Sequence, residues 1–242
     1  MTGVKPPVWM FADERVEESD ASARFIIGCI VCEKGRWLNL HPEAPKIGAL
    51  RPRRRLGGIS ELLAELQGFA LLAYADLPSA LVRPGEIDAT DDIPRMNRRD
   101  NVWSQTVLAA AAAVLACLRT SGVECAEIDF YYDPKALTLA HKAAYEETLR
   151  QTLASIAKED PETGVVQASA PFTFRKIEQV AKRYREFEAS PFQRGTALAH
   201  HLCAQAGPLV AGQKQVRVVV RNHTDAVNSM VEKFTNGSRV AS

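Results

Sequence analysis

One segment limits the folds open to this chain more than any other. Residues Val107–Leu118 are apolar throughout and half of them are alanine. Strong helix formers without a polar stripe predict a helix over Asn101–Arg119 that is largely buried. Gly122 stands where a helix stop belongs. The next segment, Ala126-Glu-Ile-Asp-Phe-Tyr-Tyr-Asp133, is rich in strand formers and is closed by Pro134. A buried helix that runs within a few residues into a strand points to an α/β architecture.

The rest of the chain fits that frame. Val8–Asp13 reads as a short apolar strand and Arg24–Cys32 as a second, β-branched one. The short polar gap between them favours an antiparallel hairpin. A third strand is expected near Trp37–Leu40. Ser60 is placed to cap a helix carrying Leu62, Leu63, Leu66 and Phe69, and Phe69–Tyr74 turns into another strand. Pro78–Pro94 reads as a long irregular connection. Further on, the pattern predicts a helix over Ala136–Lys158, a strand over Val165–Phe174 and a charged helix over Lys176–Glu188. A helix over Gln193–Ala206, a strand over Gln215–Arg221 and a helix over His223–Phe234 follow. Strands first, then strands alternating with helices, imply a mixed sheet flanked by helices. With 242 residues, no repeat and no low-complexity linker, one domain over 1–242 is expected, with 209–242 as a strand–helix appendage.

Charge narrows the function. Thirty basic residues against 29 acidic ones give a net charge of +1, which argues against coating nucleic acid by bulk charge. A local basic patch remains compatible, because steering depends on distribution. Met1–Pro7 lacks the apolar run of a secretion signal, and no stretch approaches the roughly 20 apolar residues of a membrane span. Five cysteines at irregular spacing do not form a disulfide framework. Cys29 and Cys32 sit three apart on a strand, hence on opposite faces, and no second pair completes a zinc site. Reduced, buried thiols in a cytoplasmic protein with no membrane partner are the expectation.

The acids carry the chemistry. Asp13 and Glu14 end the first strand. Asp129 and Asp133 share one face of the later strand, since 129, 131 and 133 lie on one side. If the two strands are neighbours, Asp13 and Asp133 converge at one end of the sheet. Two or three carboxylates there can hold Mg²⁺ or Mn²⁺ and leave positions open for water and phosphate. The structural alternative is that acids at strand ends solvate turns, with Asp before Pro as a turn starter.

These segments resemble the domain of unknown function 3800 family, whose members have a ribonuclease H-like fold. That family opens with a strand ending in Asp-Glu-Ser, followed by an apolar hairpin strand; here Phe11-Ala12-Asp13-Glu14-Arg15 and Phe25-Ile26-Ile27-Gly28 stand at those places. Its later strand ends in Asp, as Ile128–Asp133 does. It closes with Ser, a few residues, then Gln-Leu-Ala-Asp at a helix start; the counterpart here runs from Ser190 through Gln193 to His200. The order of elements matches over roughly residues 8–205. Two positions depart from the pattern: Arg15 replaces Ser, and Thr196 falls where the closing Asp belongs. His200 and His201 follow one turn along the same helix, either as substitutes for that Asp or as ordinary structural histidines. The resemblance implies a ribonuclease H-like, metal-dependent nuclease with Asp13, Glu14 and Asp133 as catalytic acids. Asp13, Asp133 and Asp129 would be the metal ligands. Its rival is a catalytically degenerate relative that binds protein or nucleic acid within a larger assembly.

Arg51, Arg53, Arg54 and Arg55 form a basic loop run suited to phosphate contacts, and Arg95, Arg98 and Arg99 a second cluster. Trp103 and Tyr131 are placed either to stack on bases or to join the core. His41 and His141 have no partner at ligand spacing. A glycine-rich phosphate loop, a serine elbow and a zinc motif are all absent from the sequence.

Overall fold

The computed structural model describes residues 7–40, 56–78, 98–123, 126–133, 139–158, 172–180 and 190–229. Two long strands begin the fold: β1 (Val8–Glu18) and β2 (Ser22–Glu33). They form an antiparallel hairpin in regular register from Val8 opposite Glu33 to Glu18 opposite Ala23. Helix α1 (Lys34–Leu40) follows directly, and α2 (Leu56–Glu65) precedes β3 (Phe69–Pro78), which pairs antiparallel with β2. Then come α3 (Arg98–Thr120), β4 (Ala126–Tyr132), α4 (Leu139–Lys158) and β5 (Phe172–Gln179). Helices α5 (Pro191–Ala204) and α6 (Ala206–Val210) lead to β6 (Val218–Asn222), followed by a helical segment over 224–229.

All six strands join one sheet in the order β5-β4-β1-β2-β3-β6. β4 lies parallel beside β1, β5 parallel beside β4, and β6 parallel beside β3. A three-stranded antiparallel meander with parallel strands added at both sides is the mixed sheet flanked by helices expected from the sequence. The 209–242 segment contributes β6 to that same sheet.

Side-chain alternation splits the core in two. One face carries Met10, Phe25, Ile27, Leu71, Ile128 and Phe130 under α3 and α4. The other carries Trp9, Phe11, Ile26, Ile30, Leu72 and Tyr131 under α1, α2, α5 and α6. Cys29 and Cys32 fall in opposite clusters, as their spacing requires. In the alanine-rich α3, Val107, Ala110, Ala111, Val114, Leu115 and Leu118 are buried, while the residues between them are half-buried.

Two expectations are corrected. Trp37–Leu40 is helical, not a strand, because Trp37 turns inward to pack on Phe11 and donates its indole N–H to the Pro191 carbonyl. Lys176–Gln179 belongs to strand β5, not to a charged helix. β5 ends the sheet at its β4 side, where one edge faces away from the ladder, and charges are the usual covering of such a strand. Among the described residues no helix is long and apolar enough to cross a membrane.

Candidate functional site

The site grows from the end of β1. Parallel pairing sets Trp9 beside Asp129 and Phe11 beside Tyr131. The Asp133 amide continues the ladder by donating to the Ala12 carbonyl at 3.1 Å. Asp13 and Asp133 therefore stand at the same level of adjacent strands, whose backbones run roughly 4.8 Å apart. They lie at the carboxyl ends of β1 and β4, where open α/β sheets place their ligands.

Helix α5 covers this end of the sheet, and the reasons are local. Ser190 caps it: its hydroxyl accepts from the Gln193 amide, and the Gln193 side chain returns the bond to the Ser190 amide. Phe192 packs on Trp9 and Tyr131. A Cβ on Gly195 would lie 2.2 Å from the Phe11 ring, and one on Gly28 would lie 2.7 Å from the Ala199 carbonyl. Only glycine at both positions lets the helix backbone settle this close to β1 and β2. The result seats His200 over Asp13, with 2.7 Å between imidazole Nδ1 and carboxylate Oδ2. The other carboxylate oxygen accepts from the Glu14 amide at 2.8 Å, and the Cys203 thiol donates to the Asp13 carbonyl. The Asp13 side chain is almost fully buried and that of His200 is one-third exposed. Next to it, burial and the neighbouring His200 hold the His201 imidazole below its usual pKa range.

The remaining predicted acids part company with this pair. Glu14 pairs with Ile27, which belongs to the α3–α4 face, so alternation sends its side chain to the side of the sheet away from Asp13. Asp129 is on the right face but already clamped. Arg175 donates to both its oxygens at 2.9 and 2.5 Å, and the Trp9 indole N–H adds a third bond at 3.2 Å. A register shift between β4 and β5 at Ile128/Asp129 makes Arg175 an extra residue in its strand and aims it at the acid. That bond holds the Arg175 guanidinium still more firmly protonated than usual. Asp129, expected as a metal ligand, is thus engaged by Arg175 and Trp9. Tyr131 is core, with its hydroxyl pushed up to about 12 by burial and then by Asp129. Cys29 and Cys32 are free thiols, each also pushed up to about 12 by burial.

Thr196, at the place of the closing acid, is fully buried and points its hydroxyl back to the Phe192 and Gln193 carbonyls of its own helix. Among the described residues no three metal-ligating side chains are gathered into a ready cluster. The basic run Arg51, Arg53, Arg54 and Arg55 lies outside the described residues, as do Arg95 and His41. The side chains of Arg98, Arg99, Trp103 and His141 lie outside them too. Sequence reasoning missed Arg175; its signal was an arginine beside lysine in a segment whose charges read as helical.

No family profile and no curated protein matches the chain. Among solved structures, one that it resembles is the crystal structure of a point mutant of Bst-RNase HIII, at 10% identity and a TM-score of 0.33. The match covers 84% of this chain and 52% of that one, so the chain spans about half the length of that protein.

Proposed function

We propose that this chain is a divalent-metal-dependent phosphodiesterase of ribonuclease H-like type, a divergent relative of the domain of unknown function 3800 family that acts on nucleic acid. Asp13 and Asp133 are its carboxylates, and His200 takes the place of the closing acid lost at Thr196. The observation that carries this reading is the 2.7 Å contact of His200 with Asp13, made at the level of Asp133 on the neighbouring strand.

Two carboxylates and one imidazole suit a single cation and favour Mn²⁺ over Mg²⁺, which prefers an all-oxygen shell. These three donors would serve one ion rather than a pair, and they would have to draw together around it, since they are not gathered into a cluster beforehand. When bound, the ion would polarise a phosphoryl oxygen and lower the pKa of a bound water. The chain's own work is positional. The Glu14 amide fixes one Asp13 oxygen, leaving the other to the His200 side, and α5 holds the imidazole against the sheet. Arg51, Arg53, Arg54 and Arg55 supply the phosphate-binding run, and the free thiols suit a reducing, cytoplasmic setting.

The test is cleavage of labelled DNA and RNA, single- and double-stranded, with Mn²⁺ and with chelator. Wild type should cleave at least one substrate with Mn²⁺. Asp13→Asn and His200→Ala should abolish cleavage while the protein stays folded. Cleavage that survives both substitutions would place the activity elsewhere. A second reading, a catalytically degenerate subunit that binds nucleic acid or protein, is favoured by Thr196 and by the absence of a ready ligand cluster among the described residues. It predicts no cleavage of any substrate, with salt-dependent nucleic-acid binding or a co-purifying partner.

A further inference from the structure

A second site lies at the opposite end of the sheet. A cavity of about 530 Å³ opens where β1 and β4 begin, beside the junction of α2 with β3. Its level on β1 is Val8, five residues from Asp13, or roughly 16 Å at ~3.3 Å per residue. The volume falls in the range of small-molecule sites, about 300–1,000 Å³. Val8, Phe69, Leu118 and Val123 give it an apolar floor, and two guanidiniums, Arg36 and Arg217, stand on its rim. Glu33 is the one acid among its described lining residues and is ion-paired with Arg36 at 3.7 Å.

The backbone around the cavity is built at a cost. Among the described residues, positive φ at a non-glycine position occurs at Gln67 (48°) and Arg217 (62°), and both line this cavity. Gln67 ends α2 in a left-handed turn, in which the Gly68 amide bonds back to the Leu63 carbonyl. Gly68 must be glycine, since a Cβ there would lie 2.4 Å from the Val31 carbonyl. Arg217 takes its positive φ in the turn that opens β6, where the Val218 amide bonds back to the Gln215 carbonyl at 3.3 Å. Glycine or asparagine would take its φ more easily, yet arginine is present, and its guanidinium reaches across to the Gly68 carbonyl at 3.2 Å.

We propose that this cavity binds a small organic anion with an apolar body, such as a medium-chain carboxylate. The apolar part lies on the Val8–Phe69–Leu118 floor and the anionic group meets Arg217 and Arg36. The assignment rests on charge complementarity: among the described lining residues two guanidiniums face one carboxylate, and with Arg36 paired to Glu33 the principal cation is Arg217, beside apolar Val8, Phe69, Leu118 and Val123. It is independent of the Asp13 site.

The experiment is calorimetric titration of the full chain with octanoate, with octanol as the uncharged match and inorganic phosphate as the charge alone. Octanoate should saturate at one per chain, and octanol should bind about tenfold or more weaker, the loss of a charge-assisted contact. Phosphate should show no saturation. Arg217→Gly keeps the positive φ and removes the guanidinium; it should weaken octanoate about tenfold. Arg36→Gln, on an exposed helix position, gives a second reading if Arg217→Gly disturbs folding. Asp13→Asn should leave octanoate binding unchanged. The proposal is overturned if octanoate does not saturate, if octanol or phosphate binds equally well, or if the Arg36→Gln/Arg217→Gly double variant, still folded, binds octanoate as the wild type does.

Discussion

The two faces of the sheet are built on different rules. Under α3 and α4, Thr106 is the one buried polar residue among those described, and the rest is aliphatic and aromatic. Under α5 the same sheet buries two carboxylates, Asp13 and Asp129, together with Thr196. A buried charge is costly unless partnered, so the second face admits acids only where a partner is built in. The two partners differ in kind. Asp129 meets a guanidinium of permanent charge and an indole, and its end of the face is sealed by Trp9, Tyr131 and Phe192. Asp13 meets a histidine that is itself one-third exposed. The first arrangement locks a sheet together; the second leaves an acid that can exchange its partner. That difference sets the two acids apart, although both occupy the same face of neighbouring strands.

The comparison is broken most severely from the apolar face. Leu115 is buried in α3 within the apolar cluster of this face, so Leu115→Asp should cost of order 3 kcal/mol or more. Denaturant unfolding reads this directly, and an unchanged midpoint would show that the face tolerates charge. Asp129→Ala comes next. It strips the acceptor from the Trp9 indole and from Arg175, and it should cost about 1–3 kcal/mol. Asp13→Asn keeps the shape and the Glu14 amide contact and should cost less than Asp129→Ala. The reverse order would mean that Asp13 is the structural acid of the two.

A smaller effect comes from pH. Burial holds His201 and His223 below the ordinary imidazole value of 6.5. The unfolded chain then binds protons that the folded chain refuses, so these groups leave stability intact above about pH 6.5 and erode it as pH falls through that value. Thermal melts from pH 7.5 to 5.5 should show a falling midpoint, and His201→Gln with His223→Gln should flatten the slope. An unaltered slope in the double variant would assign the dependence to other groups.

The hairpin, the strand nature of β4 and the buried α3 were legible because each rests on long apolar patterning. β1 outran its expected end at Asp13 because pairing with β2 carries it on to Glu18, which no local pattern announces. Trp37–Leu40 is too short for a period of 2 to be told from 3.6, and a single tertiary anchor, Trp37, decided it. β5 was masked by Arg175, Lys176 and Glu178, charges that pair within the sheet or lie at its edge. At the site, strand parity placed Asp13, Asp129 and Asp133 on one face. The same parity excluded Glu14, whose place beside Asp13 in sequence had suggested a pair. Nothing local could reveal that Arg175, 46 residues from Asp129, occupies both its oxygens.

The proposed function requires Asp13, Asp133 and His200 to form one cation site. Calorimetric titration of the full chain with Mn²⁺ tests it most directly, beside Asp13→Asn, Asp133→Asn, His200→Gln and the controls Glu14→Gln and Asp129→Asn. The account predicts one Mn²⁺ per chain, binding about tenfold or more weaker in each of the first three variants and unchanged in the two controls. Absence of saturable Mn²⁺ binding, or binding that Asp13→Asn and His200→Gln leave intact, would contradict it.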